Sequence, residues 1–414
     1  MSEKKVQDKQ LVLSIIIPTR ERADTLFYTL KTCVDQDYDQ FEIIVSDNFS
    51  NDNTREVVES FQSPKIRYFN TQARVSMSDN WEFALSQAAG DFITIIGDDD
   101  GFIPGAISKA MALLGKTGAS ALVWDKVEYC WPDHINPEFR NLLKVCLVDA
   151  VYYVRSSQKL RKVMNFREGY TRLPCLYNAI IRRECVEKIK KASKNKRFFN
   201  SIAPDAHSGI VLSRVIDRYL WSRYPFSVNG ASRHSNGTAS TNPNLDLKDS
   251  PAQKFIQENK IQFDQRLKLA PTVITTVMGE YLQAREFNPG LGFTEPDWNT
   301  YIKALVKEAR TSQWSLQIMQ SAVHTATALN LKCPGSVPKN AAASRKNSLP
   351  SGFDEDWLTL RAPAGTINNV EDACRFAGCL LSDSPKFKRS LRIDMLSRFY
   401  RQLISLLKQL YRSL

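Results

Sequence analysis

The stretch Phe92-Ile93-Thr94-Ile95-Ile96-Gly97-Asp98-Asp99-Asp100-Gly101 runs from an apolar segment straight into three consecutive carboxyl groups. The apolar half reads as a buried strand, so the acids fall at the mouth of a sheet. Adjacent carboxylates repel one another, and leaving them unpaired at such a place is costly. A bound divalent cation relieves the repulsion, because hard oxygen ligands suit Mg²⁺ or Mn²⁺. A solvated acidic turn is the other reading, and the upstream sequence decides between them.

Leu11-Val12-Leu13-Ser14-Ile15-Ile16-Ile17-Pro18-Thr19-Arg20 reads as a strand buried on both faces and stopped by Pro18. A helical pattern follows over 24–35, with Leu26, Leu30 and Val34 on one face. Phe41 to Asp47 is a second strand, and a polar loop leads from it to a helix through Val57, Val58 and Phe61. Lys65 to Phe69 is a third strand, Asp79 to Ala89 is helical, and Asp91 to Ile96 is the fourth strand. Strands alternating with helices imply parallel βαβ units, whose ligands bind beyond the carboxyl ends of the strands. Thr19-Arg20, Asp47-Asn48 and Asp98 to Asp100 all fall there.

The order Ile-Ile-Pro-Thr-Arg (residues 16–20), Glu-Ile-Ile-Val-Ser-Asp-Asn-Phe-Ser-Asn-Asp-Asn-Thr (42–54) and Gly-Asp-Asp-Asp-Gly-Phe-Ile-Pro-Gly-Ala (97–106) resembles the family 2 glycosyltransferases of GT-A fold. The resemblance is strong over about residues 11–115 and loose over 116–240. It implies an α/β fold, a mostly parallel Rossmann-like sheet with flanking helices, joined here to a mainly helical C-terminal region. It also implies a nucleoside-diphosphate sugar donor, UDP by family habit, a divalent metal, and inversion at the anomeric carbon.

Under that resemblance Asp98, Asp99 and Asp100 are the metal-binding acids, in an open register. Asp98 with Asp100 fits one alignment. A second puts the metal-bound carboxylate at Asp99, because Pro104-Gly105 then falls at the usual offset; it favours Asp99 and Asp100 near the metal and Asp98 nearer the donor. Asp47, with Asn48, matches the aspartate that reads the nucleobase, and capping the next helix is its alternative use. Pro18, Thr19, Arg20 and Glu21 match the first nucleotide-contacting loop, where Arg20 either binds phosphate or forms a surface salt bridge. Asn80 sits where the family carries a polar residue near the donor, or else is simply first-turn helix. Asp205, in Ala203-Pro204-Asp205-Ala206-His207, matches the general base an inverting enzyme needs, a role compatible with starting a helix. His207 is a weaker candidate base. His234, in a turn-rich loop, matches a late metal-binding histidine and Arg233 a diphosphate contact; an ordinary loop is the other reading of both.

Acceptor choice is expected to lie between these sites. Ala119 to Tyr129 and Val148 to Val154 read as strands, and Trp131, Tyr152, Tyr153 and Tyr170 are candidates for stacking on a sugar, although aromatics more often fill cores. A hydroxyl of a glycan or lipid-linked glycan is the expected acceptor. A nucleotidyltransferase would want a Gly-rich phosphate loop with a Lys, and Pro18-Thr19-Arg20-Glu21-Arg22 stands there instead. A non-catalytic relative serving as a scaffold is the remaining alternative, against which the intact acids argue.

The 414 residues suggest more than one unit: a disordered tail over 1–10, the transferase domain over 11–240, a mainly helical region over 241–381 with a mobile loop at about 332–352, and a terminal helix over 382–414. Gln253 to Arg285 and Asp297 to Leu331 read as helices. The eight cysteines lack metal-type spacing and no secretory signal precedes Leu11, which points to reduced thiols in the cytoplasm. At about 100° per residue, Leu396, Phe399, Leu403, Leu407, Leu410 and Leu414 form one stripe, with Arg398, Arg401, Lys408 and Arg412 opposite. With a net charge of +12, that helix suits peripheral contact with the inner face of a cell membrane, packing on its own domain or in a homo-oligomer being the alternative. No nucleic-acid motif is present, so nucleic acid is not an expected partner.

Overall fold

The structure is a computed structural model that describes residues 11–235, 258, 264–332, 352–354 and 356–387. The chain opens with β1 (Leu13–Thr19), α1 (Ala23–Val34), β2 (Phe41–Asp47), α2 (Thr54–Ser60), β3 (Ile66–Asn70), α3 (Met77–Ser86) and β4 (Phe92–Ile95). It continues through β5 (Gly101–Phe102), α4 (Ala106–Thr117), β6 (Ala121–Trp124), β7 (Val127–Cys130), β8 (Leu142–Cys146), β9 (Val151–Arg155) and α5 (Ser156–Met164). Then come β10 (Ala179–Arg182), α6 (Arg183–Ala192), α7 (Pro204–Leu212), β11 (Arg218–Ser222) and β12 (Ser227–Ala231). Beyond them lie α8 (Val273–Phe287), α9 (Trp298–Ala309), α10 (Ser315–Ala328), β13 (Gly352–Asp354), β14 (Trp357–Arg361) and α11 (Val370–Phe387).

The principal sheet has eight strands in the order β3-β2-β1-β4-β10-β6-β11-β9. Its first four strands are mutually parallel, and β10 enters antiparallel between β4 and β6. Leu13, Ile15, Ile16 and Ile17 are fully covered. A strand buried on both faces writes an unbroken apolar run rather than an alternation. Each such side chain contributes about 1.5–3 kcal/mol of transfer free energy. Register does the rest: Thr19 pairs beside Asp47, and Asp47 beside Asn70, so the polar strand ends lie side by side. The α/β architecture expected from the sequence is the one observed.

A second sheet, β13-β14-β8-β7-β12-β5, lies at the carboxyl side. The expected single strand over 119–129 is two strands in two sheets, β6 in the first and β7 in the second. The chain crosses at buried Asp125, which Arg172 and Arg223 hold at 2.6 and 2.7 Å. Such a crossing breaks no apolar periodicity, which is why the sequence reads through it.

The region after 240 is not uniformly helical. Helices α8, α9 and α10 build their own small core around Met278, Tyr301, Leu305, Ile318 and Met319. The helical run expected over 297–331 is broken at Arg310–Trp314, where Thr311 and Ser312 donate back to the Glu308 carbonyl. The later segment returns to the amino-terminal domain: β14 pairs with β8, and α11 places Val370, Ala373, Cys374 and Phe376 in the main core. The basic helix expected over 382–414 lies outside the described residues from 388 onward, as do the tail over 1–10 and most of the loop at 332–352. Among the described residues no helix is long and apolar enough to cross a membrane, and the seven cysteines present are free thiols.

Candidate functional site

The three acids after β4 are buried, each for a different reason. Asp98 accepts from Thr19 Oγ1 at the end of β1 and from Arg22 Nη1, both at 2.8 Å. Asp99 turns Oδ2 toward the loop after β12, accepting from the Ser232 amide at 3.2 Å, Ser232 Oγ at 2.8 Å and Ser235 Oγ at 2.5 Å. Its Oδ1 takes none of those bonds. Asp100 is saturated: Oδ2 accepts from the Gly97 amide and Asn178, and Oδ1 from Asn229 and the Gly230 amide, at 2.8–3.0 Å. Gly230 is required here, since a Cβ on it would sit 1.9 Å from the Asp99 carbonyl oxygen. Its missing side chain lets β12 lie against the acid run.

Electrostatics follow the burial. Removal from water pushes Asp98 and Asp100 above the ordinary carboxylate range, and the nearby Asp99 charge adds to the rise in both. Burial opposes the charge on Arg22, but Asp98 and Asp99 outweigh it and hold the guanidinium above its usual value. Tyr177 is raised well above the ordinary phenol value, first by burial and then by Asp100 and Asp99. The Asp205 charge adds to the rise of Tyr177 as well.

The second cluster lies at the end of β2. Asp47 accepts from Tyr68 OH at 2.6 Å, Asn70 Nδ2 at 3.0 Å and the Ser50 amide at 2.9 Å. Burial, with help from Asp47, pushes the Tyr68 phenol up to about 12. Asn48 exchanges two hydrogen bonds with the backbone of Val75, and Asn80 exchanges two with Ser46. Glu21 adopts a left-handed φ of 54°, uncommon for a residue with a side chain, and its carboxylate meets Arg74 at 3.0 Å. Arg20 forms a salt bridge with Glu258 at 2.9 Å.

Thr19, Asp98, Asp99 and Asp100 thus share one network, while Asp47, Asn48 and Asn80 form a neighbouring one. The His234 ring accepts from Arg233 Nε at 2.8 Å and lies 3.8 Å from Asp24, and its carbonyl accepts from Arg22. Arg233 itself is divided between Asp24 and Asp133. Asp205 stands in the first turn of α7 and accepts from Tyr170 OH at 2.5 Å. His207 is fully buried. Trp131 is a core residue whose indole N–H reaches the Asp99 carbonyl, whereas Tyr152 and Tyr153 are exposed on the sheet edge.

Several participants escape sequence reading. Arg22 hides beside Arg20 as one more basic residue. Asn178, Asn229, Ser232 and Ser235 are single polar residues far apart in sequence, united only by the fold. Among the described residues no group of three or more His, Cys, Asp or Glu side chains is arranged to hold a metal. The donor set nonetheless fits Mg²⁺ or Mn²⁺ in one way. Such ions bind through one or two carboxylates and complete their shells with substrate phosphates and water. Asp99 Oδ1, with Asp98 beside it, is such a partial set.

A mostly parallel sheet with an acidic rim at the carboxyl ends of β1, β2 and β4 defines the GT-A class of α/β proteins. Residues 14–190 match the family described as Glycosyl transferase family 2. The chain is 39% identical over 102 residues to a GalNAc(5)-diNAcBac-PP-undecaprenol beta-1,3-glucosyltransferase of Campylobacter jejuni, covering 24% of this chain and 33% of that protein. It is 27% identical over 109 residues to the UDP-Glc:alpha-D-GlcNAc-diphosphoundecaprenol beta-1,3-glucosyltransferase WfgD of Escherichia coli, covering 26% and 43%. The chain therefore spans well under half the length of these relatives. A crystal structure of S. aureus TarS 1-349 superposes with a TM-score of 0.41 at 14% identity, covering 77% of this chain and 92% of that one, a likeness too distant to bear on function.

Proposed function

We propose that the protein is a glycosyltransferase that moves a sugar from a nucleoside-diphosphate donor, UDP-linked by preference, to a hydroxyl of a glycan or lipid-linked glycan, with inversion. The observation that carries this reading is the convergence of Thr19, Arg22 and the Ser232–Ser235 loop on Asp98 and Asp99 at the sheet's carboxyl edge. The family match over residues 14–190 and the names of the two relatives, both glucosyltransferases acting on diphosphoundecaprenol-linked substrates, support it.

Glycosyl transfer passes through an oxocarbenium-like state while the departing diphosphate gains charge. A divalent cation, when bound, supplies Lewis-acid stabilisation of that charge. In this reading Asp99 Oδ1 is the protein's ligand, and Asp98, fixed by Thr19 and Arg22, lies beside the donor. Asp100, spent on four hydrogen bonds, holds the rim in shape. Arg22 places a permanent positive charge next to the diphosphate site. Asp47 at the end of β2, with Asn48 beside it and Asn80 from α3, faces the nucleoside, and Arg20 can exchange Glu258 for phosphate. His234 and Arg233 close the rim from the β12 side. Asp205 takes the proton from the acceptor hydroxyl, with Tyr170 orienting its carboxylate.

The test is nucleotide release from UDP-, GDP-, CDP- and dTDP-sugars in the presence of Mn²⁺, with undecaprenyl-diphosphate glycans as acceptors. Acceptor-stimulated release from one donor class, with the product carrying the inverted linkage, is the expected result. Tight nucleotide binding with no release from any donor would favour the scaffold alternative.

A further inference from the structure

The segment that delivers Asp205 hangs between two helices from different parts of the chain. Glu82 Oε2, on α3, accepts from the consecutive amides of Phe198 and Phe199 at 2.9 and 2.8 Å. Glu280 Oε1, on α8, accepts from the consecutive amides of Ile202 and Ala203 at 3.3 and 2.9 Å. Between them Ser78 Oγ donates to the Ser201 carbonyl. Ala203 is the residue that starts α7, it offers no side-chain cap, and Asp205 follows within the first turn.

Glu280 is a costly residue to put there. It is 1% exposed, and a buried carboxylate is tolerated only when its charge is answered. Two amide donors and the positive end of α7 answer it in part. The buried His207 ring, one turn into α7, faces its other oxygen, Nδ1 to Oε2 at 3.5 Å. That oxygen and both ring nitrogens make no hydrogen bond among the described residues. The pair lies outside residues 14–190, and Glu280 sits on α8, which packs Met278 and Leu282 into the core of the helical unit and Val277, Tyr281 and Ala284 into the main core.

We propose that Glu280 is a positioning residue for the acceptor-side chemistry: by clamping the Ile202 and Ala203 amides against α8 it fixes the first turn of α7, and with it the Asp205 carboxylate. This deepens the proposed function and rests on Asp205 being the base. The helical unit is then part of the catalytic machinery rather than an appendage. Misplacing a catalytic group by even one ångström is expensive, whereas the donor rim is built by other elements and is left intact.

The experiment uses the full chain with Glu280→Ala, Glu280→Gln and Asp205→Asn. The readouts are acceptor-stimulated UDP release from UDP-glucose, with an undecaprenyl-diphosphate glycan as acceptor, and amide hydrogen exchange over 198–207. Glu280→Ala is expected to lower kcat about 100-fold, with KM for UDP-glucose within about twofold of wild type. Exchange over 198–207 should rise about tenfold while the 97–101 rim stays protected. Gln keeps a carbonyl acceptor for both amides and should recover kcat to within about fivefold. Unchanged kcat or unchanged exchange in Glu280→Ala overturns the proposal. So does a joint loss of kcat and donor affinity with faster exchange throughout the chain, the mark of general destabilisation. Retained turnover in Asp205→Asn instead overturns the base reading, and that outcome is distinct from turnover lost in Asp205→Asn but kept in Glu280→Ala.

Discussion

The acid rim after β4 and the segment that carries Asp205 both rely on buried or half-buried carboxylates, and they use them in opposite ways. At the rim three acids are packed in sequence, and burial raises Asp98 and Asp100 above their ordinary range. Around 198–203, Glu82 and Glu280 stand apart and each answers two backbone amides. The first arrangement concentrates negative charge where a ligand can neutralise it. The second spends negative charge on holding backbone.

The comparison breaks most visibly at Asp99. Asp99→Ala is expected to reduce turnover about 10³-fold, the worth of one metal ligand in transition-state stabilisation. Its loss of stability should be smaller than that of Asp100→Ala, since Asp99 answers one amide and two serine hydroxyls of a single loop. Asp205→Asn should lower kcat by about 10²–10⁴-fold, the usual contribution of a positioned base. Calorimetry should find nucleotide affinity unchanged in that variant. Asp100→Ala tests the framework side within the rim itself. It strips a partner from two amides and two asparagines, so denaturant unfolding should show a loss of about 3 kcal/mol. An Asp100→Ala protein as stable as wild type would mean that the third acid is not structural.

The smallest effect is expected in the helical unit. Asp264 lies below the ordinary carboxylate range because Arg266 hydrogen-bonds to it, against the opposing effect of burial. A lowered folded value means that its contribution is present above the unfolded value and is lost as pH falls through the folded one. Asp264→Asn should therefore flatten the acid limb of the stability curve below about pH 4. It should leave the curve above that pH parallel to wild type, as followed by thermal melts.

How far the molecule is legible in its sequence follows the same division. Buried parallel strands write unbroken apolar runs, so β1, β2 and β4 and the polar residues at their ends are plain. The acid run is plain for the same reason. The answering groups are not. Arg22, Asn178, Asn229 and Ser235 carry no local pattern, and only the fold gathers them on one rim. Glu280 sits in α8 among apolar neighbours, and nothing local distinguishes it from a surface glutamate. The return of β14 and α11 to the main core is hidden because Trp357 to Arg361 is a single short strand whose partner, β8, lies two hundred residues earlier.

The central claim is that Asp99 joins a divalent cation to the donor diphosphate, and titration calorimetry of UDP with and without Mn²⁺ addresses it most directly. In wild type, UDP should bind at least about tenfold more tightly with Mn²⁺ than without. In Asp99→Ala the two affinities should coincide. Equal affinity with and without the metal in wild type, or an undiminished metal effect in Asp99→Ala, would contradict the account.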